Sequence, residues 1–332
     1  MQAGVRHEFT TGWNEVSARA ANYITDAQGL LATTPRVANS AYTENNARRL
    51  FGPRVALAWD VFGNGKTALR AGYGMYYSLI DDLSFLLNSL PPYNGSITLT
   101  GSLPSFVPIN PLAPVAPSCG PGVPSPCTVY APQGIQANAK TPTVQEWKFT
   151  VEQQLDRNTA LRMSYVGSFG YHGFVSVDPN AVPTQICSAS SCASGGTGAA
   201  RGSVPQGAEY IPVAATRPNP YVGAGFFWVT EGNTSYNALQ VDVSRRLTYG
   251  LQFRANYTWS KNLDINSGLT GAQANNQPQM VMNRNDLRRD WGPSALDITN
   301  QSSISAGYEM PFGRGKHWLR DAGGLPAARE LA

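Results

Sequence analysis

Residues 239–261 read LQVDVSRRLTYGLQFRANYTWSK. Leu239, Val241 and Val243 alternate with Gln240, Asp242 and Ser244. After Thr248-Tyr249-Gly250, Leu251, Phe253, Ala255, Tyr257 and Trp259 alternate with Gln252, Arg254, Asn256, Thr258 and Ser260. A period of two is the side-chain period of a strand, with one apolar and one polar face. Two such runs around a glycine-bearing break predict a hairpin.

The pattern recurs along the chain. Val55, Leu57, Trp59 and Val61 alternate with Arg54, Ala56, Ala58 and Asp60. Gly63-Asn64-Gly65-Lys66 then supplies a tight turn, and Leu69, Ala71, Tyr73, Met75 and Tyr77 return against Arg70, Gly72, Gly74 and Tyr76. Trp147, Phe149 and Val151 alternate with Glu146, Lys148, Thr150 and Glu152. After Asp156-Arg157-Asn158 come Leu161, Met163 and Tyr165. Ile304, Ala306, Tyr308 and Met310 form a last run before Gly313-Arg314-Gly315. The predicted strands lie near 2–9, 54–62, 66–77, 143–155, 159–168, 235–247, 251–261 and 297–311. The short turns alternate with long connections near 10–52, 78–141, 169–234 and 262–296, so an up-and-down sheet places every long loop at one end. Structureless loops of this length are uncommon in soluble domains and ordinary on one side of outer-membrane barrels.

The two faces decide the solvent. A soluble sandwich also alternates, but here the apolar face carries aromatics expected near strand ends: Trp59, Tyr73, Tyr77, Trp147, Tyr165, Tyr257 and Trp259. Aromatic girdles mark membrane barrels, and runs of about 9–13 residues suffice for a tilted spanning strand. The expected fold is all-β, an antiparallel up-and-down transmembrane β-barrel segment of about eight strands. Arg70, Glu146, Arg162, Asp242 and Arg254 face its lumen, the arginines pairing with Glu146, Glu152 or Asp242. Because lipid leaves no partner for an open edge, the sheet is expected to close.

Composition narrows the alternatives. The 33 glycines and 24 prolines disfavour a helical protein, while 14% charged and 10% aromatic residues disfavour a disordered polymer. A net charge of +4, with its basic pairs scattered, lacks the concentrated stripe of a nucleic-acid binder. Residues 83–139 carry no charge but hold eleven prolines, which no spanning helix tolerates; they read as an irregular loop. The start, MQAGVRHEFTTGWNE, lacks the pattern of a signal peptide. Cys119 and Cys127 form one close pair and Cys187 and Cys192 another, both in Pro-, Gly- or Ser-rich loops without histidine. Two local disulfides in an oxidising compartment are read for them, against four inert thiols.

No catalytic or cofactor chemistry emerges. GNGKT at 63–67 is similar to the end of a phosphate loop, but Asp60 stands where glycine is needed and the segment is a hairpin. His7, His172 and His317 are dispersed, with no zinc-protease or serine-hydrolase motif. Asp264-Ile265-Asn266-Ser267-Gly268 lacks the further ligands of a calcium loop and reads as a loop cap. Asn-x-Ser/Thr sequons such as those at Asn233 and Asn256 carry no weight in an outer membrane. The expectation is a non-enzyme without cofactor or metal.

Four segments carry a family resemblance. FGPRVALAWDVFGNGKTALRAGYGMYYS (51–78), TPTVQEWKFTVEQQLDRNTALRMSYVGSFGYH (141–172), SYNALQVDVSRRLTYGLQFRANYTWSKNLD (235–264) and DLRRDWGPSALDITNQSSISAGYEMPFGRGK (286–316) resemble, in order, barrel segments of TonB-dependent outer-membrane transporters. The nearest group is the Oar-like one with a carboxypeptidase-regulatory-like N-terminal domain, of acidobacterial type. The resemblance implies residence in the cell outer membrane and import of a bulky nutrient driven through the TonB complex, with the long loops capturing an extracellular ligand. Family members add a plug, a coupling segment and a 22-stranded barrel. Residues 1–332 are therefore expected to be a partial barrel, without plug or regulatory-like domain, and the tail DAGGLPAARELA does not match the family's terminal strand. The alternative is a small structural or adhesive barrel without active transport, its interior filled by side chains.

Overall fold

The computed structural model describes residues 1–12, 14–79, 93, 132–195, 202–213, 215–267, 280–312 and 318. Cys119, Cys127, His317, the turn at 313–315, the tail and most of the uncharged loop lie outside these residues.

In chain order the strands are β1 (Gln2–Glu8), β2 (Ala20–Asn22), β3 (Arg36–Ala38), β4 (Leu50–Asp60), β5 (Thr67–Tyr77), β6 (Gln133–Ile135), β7 (Thr143–Gln154) and β8 (Thr159–Val177). They continue with β9 (Gln185–Ile186), β10 (Ser191–Ser194), β11 (Gly202–Pro205), β12 (Glu209–Tyr210), β13 (Phe226–Thr248), β14 (Leu251–Asp264), β15 (Gly292–Pro293) and β16 (Asn300–Tyr308). One 3-10 turn, Leu287–Asp290, is the only helical element among the described residues.

Eight of these strands form one antiparallel meander in the order β1-β4-β5-β7-β8-β13-β14-β16. The short turns take the backbone their residues permit: Gly63 and Gly65 have φ of 66° and 70°, Tyr249 and Gly250 of 52° and 79°. Asp60 and Asn64 accept the backbone N–H groups of Gly65 and Lys66 at 2.8 and 2.9 Å. The described sheet is open, with β1 and β16 each paired on one side only.

Register joins the apolar residues into continuous rows. Leu57, Ala71, Phe149, Tyr165, Leu239 and Trp259 are successive cross-strand partners, as are Trp59, Leu69, Val151, Met163, Val241 and Tyr257. Trp59, Phe149 and Trp259 remain 54%, 47% and 59% exposed, so none of the described residues covers this face. A large uncovered apolar sheet belongs in lipid. Trp59 stands four residues before Gly63 but Val241 seven before Thr248, so the turns step down across the sheet. That stagger is the tilt a barrel wall requires.

The same stagger corrects the expected girdle. Trp59 lies near the short-turn end and Tyr77 at the long-loop end, whereas Tyr165 and Tyr257 lie in mid-wall. Tyr73, Tyr165 and Tyr257 donate to Gln145, Asn237 and Asn300 at 3.2, 2.6 and 2.6 Å. Each acceptor sits one register step nearer the long-loop end on the next strand, so the phenols are satisfied while leaning toward that interface. Trp147 lies flat across Gly167, where a Cβ would come within 2.4 Å of the indole.

At the long-loop end the structure departs most from expectation. β8 and β13 run past the predicted boundaries at 168 and 235. Two bulges intervene, because Val229, Gly232 and Thr234 pair with Val175, Gly173 and Gly170, and His172 takes φ 57° there. Beyond them both faces of the β8–β13 ribbon are covered. Val175, Val177, Phe227 and Val229 pack with Ala21, Tyr23, Leu31 and Val222 on one side. Phe174 and Trp228 pack with Ala41 and Ile135 on the other. The described parts of the long connections thus form a cap with its own core, including a parallel β6–β13 pairing within an otherwise antiparallel sheet. Asn22, fully buried, binds the carbonyls of Ala41 and Ile135 and the N–H of Ile135 at 2.9, 2.8 and 3.1 Å. Burial also pushes the Tyr23 phenol above its ordinary pKa.

Three substitutions check this architecture. Val241→Arg on the outer face should cost about 2–4 kcal/mol in urea refolding into lipid vesicles, and Gln240→Arg on the inner face within about 0.5 kcal/mol. Equal costs would mean that the faces are assigned wrongly. Asn22→Ala should cost about 1–3 kcal/mol, read as faster hydrogen exchange confined to the cap.

Candidate functional site

The inner face is polar because the period of two places every second residue there. Glu152, Arg162, Asp242 and Asn256 are successive cross-strand partners on β7, β8, β13 and β14. Arg70 and Arg254 stand one register step away on the flanking strands. The Nε atoms of Arg70 and Arg162 donate to the two oxygens of Glu152 at 3.1 and 3.0 Å, and Arg254 Nε donates to Asp242 at 2.9 Å. Charge sign therefore alternates across β5, β7, β8, β13 and β14. One register step from this row toward the long-loop end, Thr150 and Ser164 share a hydroxyl hydrogen bond of 2.9 Å and are buried.

Glu146 does not join the arginines: among the described residues neither it nor Lys148 makes an ion pair. Both face an open hollow of about 880 Å³ floored by Gly4, Ala56, Gly72 and Gly74. Its far side holds Arg54, stacked 4.6 Å over the ring of Tyr76. The missing side chains make the hollow. At the short-turn end Asp60 and Asp156 are both engaged. Asp60 holds its turn, and Asp156 accepts from the N–H groups of Asn158 and Thr159 at 2.7 and 2.9 Å and faces Arg245 at 3.6 Å. The backbone bond from Asn158, then the Thr159 side chain and Arg245, hold the Asp156 carboxyl below its ordinary range.

The cap is the second candidate region. Cys187 and Cys192 are joined in a disulfide with a Cα–Cα distance of 5.7 Å, closing a small loop beside the β10–β11 and β9–β12 pairings. Arg217 pairs with Asp178 at 2.5 Å and Arg284 grips Glu231 through both terminal nitrogens at 2.7 and 3.0 Å. Glu209 gathers Thr184, Asn283 and Arg289. Asp264, read from sequence as a loop cap, accepts the Ser267 hydroxyl at 2.9 Å. The ion pairs of Asp178, Glu209 and Glu231 follow no periodicity and leave no signal in the sequence, whereas the close spacing of Cys187 and Cys192 does. No cluster of three or more metal-binding side chains occurs among the described residues.

An antiparallel tilted meander, apolar without and charge-paired within, defines the wall of an outer-membrane β-barrel. The chain belongs to the family described as Outer membrane beta barrel domain, whose model matches residues 1–329, and it is an outer-membrane protein. No curated protein matches it significantly. Among solved structures it is similar to the outer membrane transporter YddB from Escherichia coli, at 12% identity and a TM-score of 0.37. The match covers 68% of this chain and 21% of that one, so the chain spans about a fifth of the transporter's length.

Glu152→Gln should strip both arginines of their partner. The groups are half-exposed, so the expected cost is no more than about 1 kcal/mol, larger at low salt. Urea titrations at two salt concentrations check it, and the Arg70→Gln/Glu152→Gln pair should be less than additive. A depressed carboxyl stabilises the folded state above its unfolded pKa and loses that contribution as pH falls through the folded one. Asp156→Asn should therefore reduce the loss of stability on acidification below the ordinary carboxylate range.

Proposed function

We propose that the chain is barrel wall of a TonB-dependent outer-membrane importer of the Oar-like type, a non-enzyme that carries a bulky nutrient across the Gram-negative outer membrane. Its partners on this reading are outer-membrane lipid, the TonB complex and an extracellular ligand, with no nucleic acid. The observation that carries the proposal is the hollow inner face. A closed eight-stranded barrel of structural or adhesive type must fill its interior with side chains, whereas Gly4, Ala56 and Gly72 leave this face open beside Glu146 and Lys148. Four segments resembling one transporter family in order add to it. By the rule for outer-membrane barrels the cap faces outside and the short turns face the periplasm, which puts the folded loops where ligand capture occurs.

The test is genetic epistasis in cells carrying the full-length protein. Deleting it should impair growth on particular bulky nutrients at limiting concentration, and deleting TonB should produce the same defect with no added effect in the double mutant. A growth advantage from the protein that persists without TonB would sink the importer reading. Loss of surface attachment with unchanged growth would favour the adhesive alternative.

A further inference from the structure

The cap contains a hollow of about 710 Å³, within the size range of small-molecule sites, that none of the pairings above fills. Its floor is fixed in advance. Asp178 holds Arg217 at 2.5 Å and accepts the N–H groups of Asn180 and Gly225 at 3.0 and 3.0 Å. Asn180, fully buried behind it, donates to the carbonyls of Asn219 and Val222 at 2.9 and 2.5 Å. One wall presents Pro183, Ile211 and Pro218. The opposite wall is the segment carrying Met282 and Asn285, tied down by the Arg284–Glu231 fork and by Asn283 on Glu209 at 3.0 Å. Ile211 and Met282 are 39% and 75% exposed, apolar surface on a frame that is otherwise tightly hydrogen-bonded.

The chemistry of this lining selects a ligand class. The charged residues on it are Asp178, Arg217 and Arg284, and each already has its counter-ion, so a net-charged ligand would find none free. No aromatic ring lines the hollow among the described residues, which removes the stacking platform that sugars and nucleobases use. What is left is apolar wall, the Ser194 hydroxyl and the exposed side-chain amide of Asn285, neither of which has a side-chain hydrogen bond among the described residues. A primary amide offers both a donor and an acceptor, matching a peptide bond. We propose that this hollow binds an uncharged peptide-type ligand, with apolar side chains against Ile211 and Met282 and a backbone amide on Asn285. The role of the site in capture rests on the importer reading; its binding chemistry does not.

The test is equilibrium dialysis against outer-membrane vesicles holding the full-length protein, without an energy source. The probes are N-acetyl-leucyl-alanyl-leucinamide, the same tripeptide with free termini, and maltotriose. The capped peptide should bind saturably and about tenfold more tightly than the charged one, and maltotriose should not bind. Ile211→Arg and Met282→Glu, on opposite walls, should each weaken binding about tenfold or more, and Asn285→Ala by roughly two- to tenfold. Heat-modifiable migration of each variant on gels confirms that its barrel is folded. Two variants guard against one that fails to fold. Absence of saturable binding, equal binding of charged peptide or maltotriose, or unchanged affinity in both wall variants would overturn the site. Binding that persists while TonB-independence is found would retain the site and remove the importer.

Discussion

In hydrocarbon no water is available to an unpaired backbone N–H or C=O, and each one left bare costs several kcal/mol. That single constraint fixes the pairing of this chain. It forces the spanning segments into continuous ladders, and the ladder imposes the period of two. One face of Leu239–Lys261 then meets lipid and the other meets the lumen, strand after strand. A slip of one residue would exchange the faces, burying Asp242 and Arg254 in lipid and exposing Val241 and Phe253 to the lumen. The turn residues resist such a slip: Gly63, Gly65 and Gly250 occupy positive φ, and Asp60 and Asp156 each tie their own turn.

The polar atoms on the two faces are handled differently. On the lipid side the phenols of Tyr73, Tyr165 and Tyr257 each find an amide on the next strand, so these three hydroxyls are satisfied on the outer face. On the lumen side Glu152 and Asp242 between them pair with three arginines across five strands. Repulsion among those arginines would otherwise work against the register that brings β5, β7, β8 and β14 together. Glu146 and Lys148 stand apart from that row, where the glycine floor leaves room. The inner wall is thus ion-paired near the short turns and open further along.

The eight-strand wall was legible in the sequence because lipid on one side and water on the other make side-chain polarity a direct record of strand geometry. Trp59, Leu69, Val151, Met163, Val241 and Tyr257 could be put on one face from alternation alone. Depth was not legible, because it depends on stagger between strands, which no single segment encodes; hence Tyr165 and Tyr257 lie in mid-wall rather than at an edge. Parity puts Glu146 on the arginines' face but does not fix which diagonal neighbour a long side chain reaches, so its lack of an arginine partner is not legible from alternation. The cap was missed for a related reason. Val175, Phe227 and Trp228 lie on strand extensions buried on both faces, where alternation disappears, and the groups that pin the loops, Asn22, Asn180 and Asp178, act through contacts distant in sequence.

The bulges at 171–172 and 230–231 are where these two regimes meet. Below them β8 and β13 need one apolar face, because lipid covers only one. Above them the same two strands need apolar residues on both, because segments of protein lie on either side. A continuous ribbon cannot change its covering without a change in twist and direction, and an extra residue on one strand supplies both. The left-handed backbone of His172 and the close pairing of Gly173 with Gly232 mark that transition. Glu231, released from the regular ladder there, is the residue that grips Arg284 and holds one wall of the cap hollow. The ladder that lipid demands and the folded cap in water are therefore coupled through one short irregularity, so the position of the hollow relative to the barrel is set by the wall rather than by the loops.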